Sequence, residues 1–220
     1  MQTMNMMCLG VLAMGCAAFA AAADGTGHAG TFDAVSGTVQ VSSDPQAGQT
    51  GGGVNAGDTV SMGDGASARL HMADGAIFEL GSATKFEVAD YKYAGTGVMH
   101  ESRAPAAAKY QLKDGAMRTV TGSIGKETGD NYVVTSDQAD VHVHGTDYAM
   151  QESGGGLLVI CYTGSVTVSN DTGAVELSAG EYVYVASRRS PMHMESLVDL
   201  NTQITVPTII RLPPIPTSPS

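Results

Sequence analysis

"LHMADGAIFEL" (residues 70–80) and "YQLKDGAMRTV" (residues 110–120) decide how this chain is read. At identical offsets each carries an apolar alternation, the tripeptide Asp-Gly-Ala, and a second alternation. Alternation of period two puts successive side chains on opposite faces of an extended strand, and Asp-Gly is a favoured turn pair. Both segments are therefore predicted as strand, turn, strand. The same grammar recurs in "GTVQV", "KFEV", "NYVV", "DVHV", "LLVICY", "SVTV", "AVEL" and "EYVYV", with glycine-led units at Gly37, Gly164 and Gly180. A repeated strand-turn-strand unit buries its apolar face only against its neighbours. The fold class predicted is all-β: a solenoid-like β-roll or sandwich of many short strands, in a single domain. Irregular spacing between the units argues against a strict solenoid.

Composition agrees. Among 220 residues there are 28 glycines, no tryptophan and only 15% charged side chains, so the runs that favour helices are scarce. The formal charge of −11 repels nucleic acid and anionic lipid. No nucleic-acid partner is expected.

Residues 1–23, "MQTMNMMCLGVLAMGCAAFAAAA", are apolar, uncharged and end in small side chains. They read as a secretory signal peptide, although no Lys or Arg precedes Arg69. Cleavage is expected between about residues 20 and 24, with lipidation at Cys16 as the alternative. Cys8 and Cys16 lie in the leader, so the mature chain would keep Cys161 alone and form no internal disulfide. Past the leader no apolar run reaches the roughly 18 residues of a membrane span. The expected organisation is a signal peptide over 1–23, a β domain over 30–187 and a C-terminal extension over 188–220. Five prolines after residue 205 make the end of that extension a polyproline-like tail.

"VNAGDTVSMGDGASARLHMADGAIFELGSATKFEV" resembles the first half of the FecR domain, through Gly57, Asp58, Val60, Gly63, Leu70, Asp74, Gly75, Leu80 and Thr84. "LKDGAMRTV", "YVVTSDQADVHVHGTDYAM", "VICYTGSVTVSN" and "VELSAGEYVYV" are similar to its second half, so the resemblance spans about residues 33–187. It implies an exported β domain that works by binding and not by catalysis. In the regulators that name the family, this domain takes a signal in the periplasm from an iron-siderophore transporter and relays it to a sigma-factor-binding segment. Here a stand-alone domain is expected, with a protein partner in the cell envelope and a periplasmic or secreted location.

The candidates for chemistry are few. In "ADVHVHGTDYAM" (139–150), His142 and His144 share the face opposite Ala139, Val141 and Val143. Such a pair can chelate a metal, but a site needs a third ligand. Glu152 follows eight residues later, too far for a cupin-like motif, and FecR domains commonly place arginine before the Gly-Thr, so a solvated strand face is expected. Asp58, Asp64, Asp74 and Asp114 each stand beside glycine, where aspartate closes turns. Ser136 and Ser165 lack a nucleophile-elbow setting, and "GGGVNAGD" leads into a strand, unlike a phosphate loop. Tyr91 and Tyr93 are the only clustered aromatics for glycan binding. "SRRSP" (187–191) reads as a solvated turn. The expectation is a binding protein with no catalytic residue, metal or cofactor, alongside two alternatives: a glycan-binding or structural envelope module, and a metal-dependent β-fold enzyme. For a protein partner, main-chain pairing at an open sheet edge is expected, with "TIIRL" in the tail (205–220) as a capping or donated strand.

Overall fold

The structure, a computed structural model, describes residues 28–93, 106–127 and 131–196. The leader with Cys8 and Cys16, most of the 93–110 connection and the tail lie outside the described residues.

Fourteen strands form one sheet. They are β1 (Gly30–Ser36), β2 (Val39–Val41), β3 (Gly53–Val54), β4 (Thr59–Met62), β5 (Ser67–Met72), β6 (Ile77–Leu80), β7 (Lys85–Lys92), β8 (Ala107–Val120), β9 (Tyr132–Thr135), β10 (Asp140–Ser153), β11 (Gly156–Asn170), β12 (Gly173–Ser178), β13 (Glu181–Val185) and β14 (Met194–Ser196). β14 lies past residue 187, where the sequence places the start of an extension. Single 3-10 turns at Pro45–Ala47 and Ile124–Lys126 are the only other regular elements among the described residues.

Three strands are long: β8 and β10 have 14 residues and β11 has 15. Each changes partners midway. β8 pairs β7 and β9 through Asp114, then β6 and β10 from Gly115. β10 pairs β9 up to His142 and β8 from Asp147. β11 pairs β13 as far as Cys161 and β12 from Ser165. The changes fall at Gly115, Gly145 and Gly164, with φ of 85°, 64° and 78°. These left-handed values are ones that glycine alone adopts readily. At each site the inward-facing set slips by one residue. Tyr110 and Leu112 give way to Met117 and Thr119, Val141 and Val143 to Tyr148 and Met150, and Val159 and Cys161 to Val166 and Val168.

The sheet thus folds over itself at three bends: those of β10 and β11 lie side by side, and that of β8 lies at the other end of the second layer, where Gly115 faces Glu152. One layer runs β2, β4, β7, the first halves of β8 and β10 around β9, the second half of β11, and β12. The other runs β3, β1, β5, β6, the second halves of β8 and β10, the first half of β11, β13 and β14. Between them lies a single core in which Phe78 of the second layer meets Phe86 (5.0 Å) and Tyr110 (4.8 Å) of the first. Of the two forms left open by the sequence, this is the sandwich: every described pairing is antiparallel except β8 with β9, whereas stacked solenoid rungs pair in parallel. The predicted hairpin in 110–120 is corrected. "LHMADGAIFEL" is the hairpin β5–β6, but "YQLKDGAMRTV" lies within the one strand β8, bent at Gly115.

Candidate functional site

The residues singled out by sequence are mostly absorbed by the scaffold. Asp58 is buried and its carboxylate accepts from Ser42 Oγ (3.2 Å), Ser43 N (3.1 Å) and Asn55 N (2.8 Å). Burial pushes this carboxyl up, yet the hydrogen bonds from Ser43, Asn55 and Ser42 outweigh it and hold the group below the usual carboxylate range. Asp74 accepts from Ala76 N (3.2 Å), Tyr91 Oη (3.2 Å) and Ile124 N (3.2 Å), tying the β5–β6 turn to the turn after β8. Among the described residues Asp114 accepts only from Gly115 N (2.9 Å), and Asp64 is an exposed turn residue. Tyr91 and Tyr93 do not offer an exposed aromatic platform, because both pack partly buried against the core and the Tyr91 hydroxyl is engaged with Asp74.

Ser136 closes its own turn, accepting from Gln138 N and Ala139 N (both 3.2 Å), and Ser165 pairs with His144 across β10 and β11. Cys161 is fully buried, its thiol pushed up to about 11 by burial and by the nearby Glu181 and Asp147 carboxylates, so almost no thiolate forms at neutral pH. His144 is exposed, but His142 is half-buried because β9 and β11 flank it on both sides. Among the described residues no three His, Cys, Asp or Glu side chains gather as a metal site, and no helix is long and apolar enough to cross a membrane. Arg188 of "SRRSP" is no free surface cation: it donates twice to Asp140 (both 3.1 Å) and once to the Ser136 carbonyl (3.0 Å).

What the sequence did not reveal is the outer face of the second layer. Across β1, β5, β6, β8, β10, β11, β13 and β14 one row of paired positions reads Ala34, Arg69, Glu79, Arg118, Ala149, Ile160, Tyr182, Glu195. Arg69 donates to Glu79 (2.6 Å) at one end and Tyr182 Oη to Glu195 (2.5 Å) at the other. At the centre Arg118, 1% exposed, forms two parallel bonds with Asp147 (Nε 3.0 Å, Nη2 2.9 Å) and lies 4.3 Å over the Tyr162 ring. That buried fork is rigid and charge-paired.

Beside the Arg69–Glu79 end the face opens into a groove of about 940 Å³. Its floor and rim are small residues, among them Ala34, Ser36, Ser67, Gly81 and Ala116, with Arg69, Glu79 and Gln151 as the long polar side chains. Glu79 Oε2 has no hydrogen-bond partner among the described residues. Glu79 is the single carboxylate among the described residues that line the groove. The groove offers space, backbone and a few polar anchors, the equipment of a binding site.

The family model described as FecR protein matches residues 58–167, half of the chain. The chain belongs to the FecR family. The matched span opens at the Asp58 clamp and closes just past the Gly164 bend, so it holds all three bends and the Arg118–Asp147 pair. The Gly-Thr of the FecR core is the bend of β10 itself. There Thr146 N donates to Thr121 Oγ1 (2.9 Å) and Thr146 Oγ1 to the Ser165 carbonyl (2.7 Å), fastening the folded sheet across three strands. Two crystal structures of a candidate anti-sigma factor from Parabacteroides distasonis have a similar fold, with a TM-score of 0.50 and 18% identity over 63% of this chain. The likeness spans 59% of that protein, less than two thirds of its length. No curated protein matches the FecR chain.

Proposed function

We propose that this FecR protein is exported to the cell envelope and acts there as a signal-sensing module that binds another polypeptide. The FecR family is regulatory and is not known for enzymes. The apolar leader over 1–23 supports export. The observation that carries binding is the outer-face groove, walled by small side chains that let an extended chain approach the sheet closely and anchored by Arg69, Glu79 and Gln151. Open edges add a second means of engagement: among the described residues β12, largely exposed, pairs only with β11. No step of this function requires a metal or cofactor.

A photo-crosslinker at Ser36, on the groove rim, tests the reading in cells. The reading predicts one discrete protein adduct in the envelope fraction, lost when Ala116→Trp fills the groove floor and retained when the distant His144→Gln is made. An adduct unaffected by Ala116→Trp, or none above background, overturns it. N-terminal sequencing tests export: a start between about residues 20 and 24, or a lipidated Cys16, supports it, and an uncleaved cytoplasmic chain contradicts it.

A further inference from the structure

β1 is paired unevenly. On one side it runs against β5 along its whole length, from Gly30 opposite Met72 to Ser36 opposite Ser67. On the other side β3 pairs only Gly30 and Thr31, and the turn at Gly51 and Gly52 exchanges two bonds with Phe32 (2.8 and 2.9 Å). A bulge at Asp33 ends that pairing. Past it, Ala34, Val35 and Ser36 make no backbone hydrogen bond with any described residue outside β5. In an antiparallel strand the N–H and C=O of one residue point to the same side and successive residues alternate, so at least one of these three turns both groups away from β5. The stretch carries neither charge nor proline, two devices that commonly shield an edge.

The same three residues line the groove. Val35 packs its side chain against the core, so it meets the groove through its main chain. We propose that the partner polypeptide joins β1 at Ala34–Ser36 as an added strand and lays a long side chain, level with Ser36, into the groove. The inference rests on the reading of the groove as a polypeptide site and supplies its mode of recognition. An added strand would lie about 5 Å from β1, with alternate side chains on the groove face. Level with Ser36 the floor stays low: Ser67 is paired with Ser36, and Gly81 N bonds the Ala116 carbonyl (2.9 Å), which carries the strip of small residues on to β8. A side chain entering from the β1 edge therefore lies along this strip, with Arg69, Glu79 and Gln151 lining the same space. Main-chain pairing supplies the affinity and the strip selects the side chain. This edge belongs to the second layer, apart from the β12 edge of the first.

The test places a photo-crosslinker at Ser82, which lines the groove two strands from β1, in the full chain in cells, alone and combined with Val35→Pro or Ser36→Pro. Because neighbours alternate, one proline removes an N–H bonded to β5 and the other an N–H at the free edge. The proposal predicts that the edge proline leaves the protein folded by circular dichroism and lowers the Ser82 adduct at least tenfold. A folded edge-proline variant that keeps the adduct overturns main-chain pairing and leaves the groove reading standing, whereas no adduct in the parent chain overturns both. An adduct with the mass of two copies of this chain, or a crosslink within one chain, also overturns the proposal. Hydrogen exchange of the free protein gives a second readout that needs no variant: at least one amide among residues 34–36 should exchange at least a hundredfold faster than that of Ala68 on β5. Slow exchange at all three contradicts an open edge.

Discussion

The two Asp-Gly-Ala segments have the same tripeptide at the same offset and opposite roles. In the first, Asp74 gathers three donors and Gly75 N bonds the Met72 carbonyl (2.9 Å), so the chain reverses into β6. In the second, the chain does not reverse. Thr84 Oγ1 bonds Ala116 on both sides, donating to its carbonyl and accepting from its N–H (both 3.0 Å), and β8 continues with new neighbours. Gly75 and Gly115 have nearly the same φ, 86° and 85°. Local sequence sets the backbone conformation, and partners across the sheet decide whether it becomes a turn or a bend. The bend also borders the candidate site, because Gly115 and Ala116 line the groove while the Asp74 turn is tied into the scaffold.

The largest effect that can test this contrast lies just past the bend. Asp147→Ala leaves Arg118 charged and buried, and should cost about 3–5 kcal/mol by urea denaturation, whereas replacing both partners with apolar residues of similar size should recover most of that loss. In the hairpin, the comparable pair Arg69–Glu79 is only partly buried, its side chains 41% and 13% exposed, and Glu79→Ala should cost less, about 1 kcal/mol. Next come the aspartates. Asp74→Ala removes the acceptor for three donors and should cost about 1–3 kcal/mol, while exposed Asp114→Ala should stay within about 0.5 kcal/mol, both read by the same denaturation. Equal losses would mean that the two segments are held alike.

A smaller effect concerns pH. Glu152 pairs with Gly115 at the bend, and its carboxyl is raised from about 4.5 to about 7 by burial, with Asp137 and Asp114 adding repulsion. Below pH 4.5 the group is protonated in both states. Between 4.5 and 7 the folded protein holds a proton that the unfolded chain releases, so stability falls as pH rises through this window and levels off above it. Glu152→Gln should flatten that decline between about pH 5 and about pH 8, with little change at the acid end.

Much of this was legible in the sequence. Period-two runs located most strands, and the spacing of Asp-Gly, Gly-Thr and the closing strands identified the FecR domain. The bends were not legible, because a left-handed glycine reads the same whether it reverses a chain or kinks it. Missing the bend hid the candidate site as well. Phe78 and Arg118 occupy equivalent offsets, yet the one-residue slip at Gly115 sends Phe78 inward and Arg118 outward, where it meets Asp147. An alternation carried straight through β8 would have placed Arg118 in the core and given no reason to pair it with Asp147.

The most direct measurement compares Gly75→Ala with Gly115→Ala. A Cβ at residue 75 would meet nothing within 4 Å, whereas one at residue 115 would lie 2.5 Å from the Thr84 backbone Cα and its hydroxyl. Backbone strain is common to both and costs about 1 kcal/mol each. The bend adds the clash with Thr84, so Gly115→Ala should lose at least about 2 kcal/mol more than Gly75→Ala in urea denaturation. Equal losses would contradict the claim that partners across the sheet, and not the tripeptide, make residue 115 the fold line of this domain.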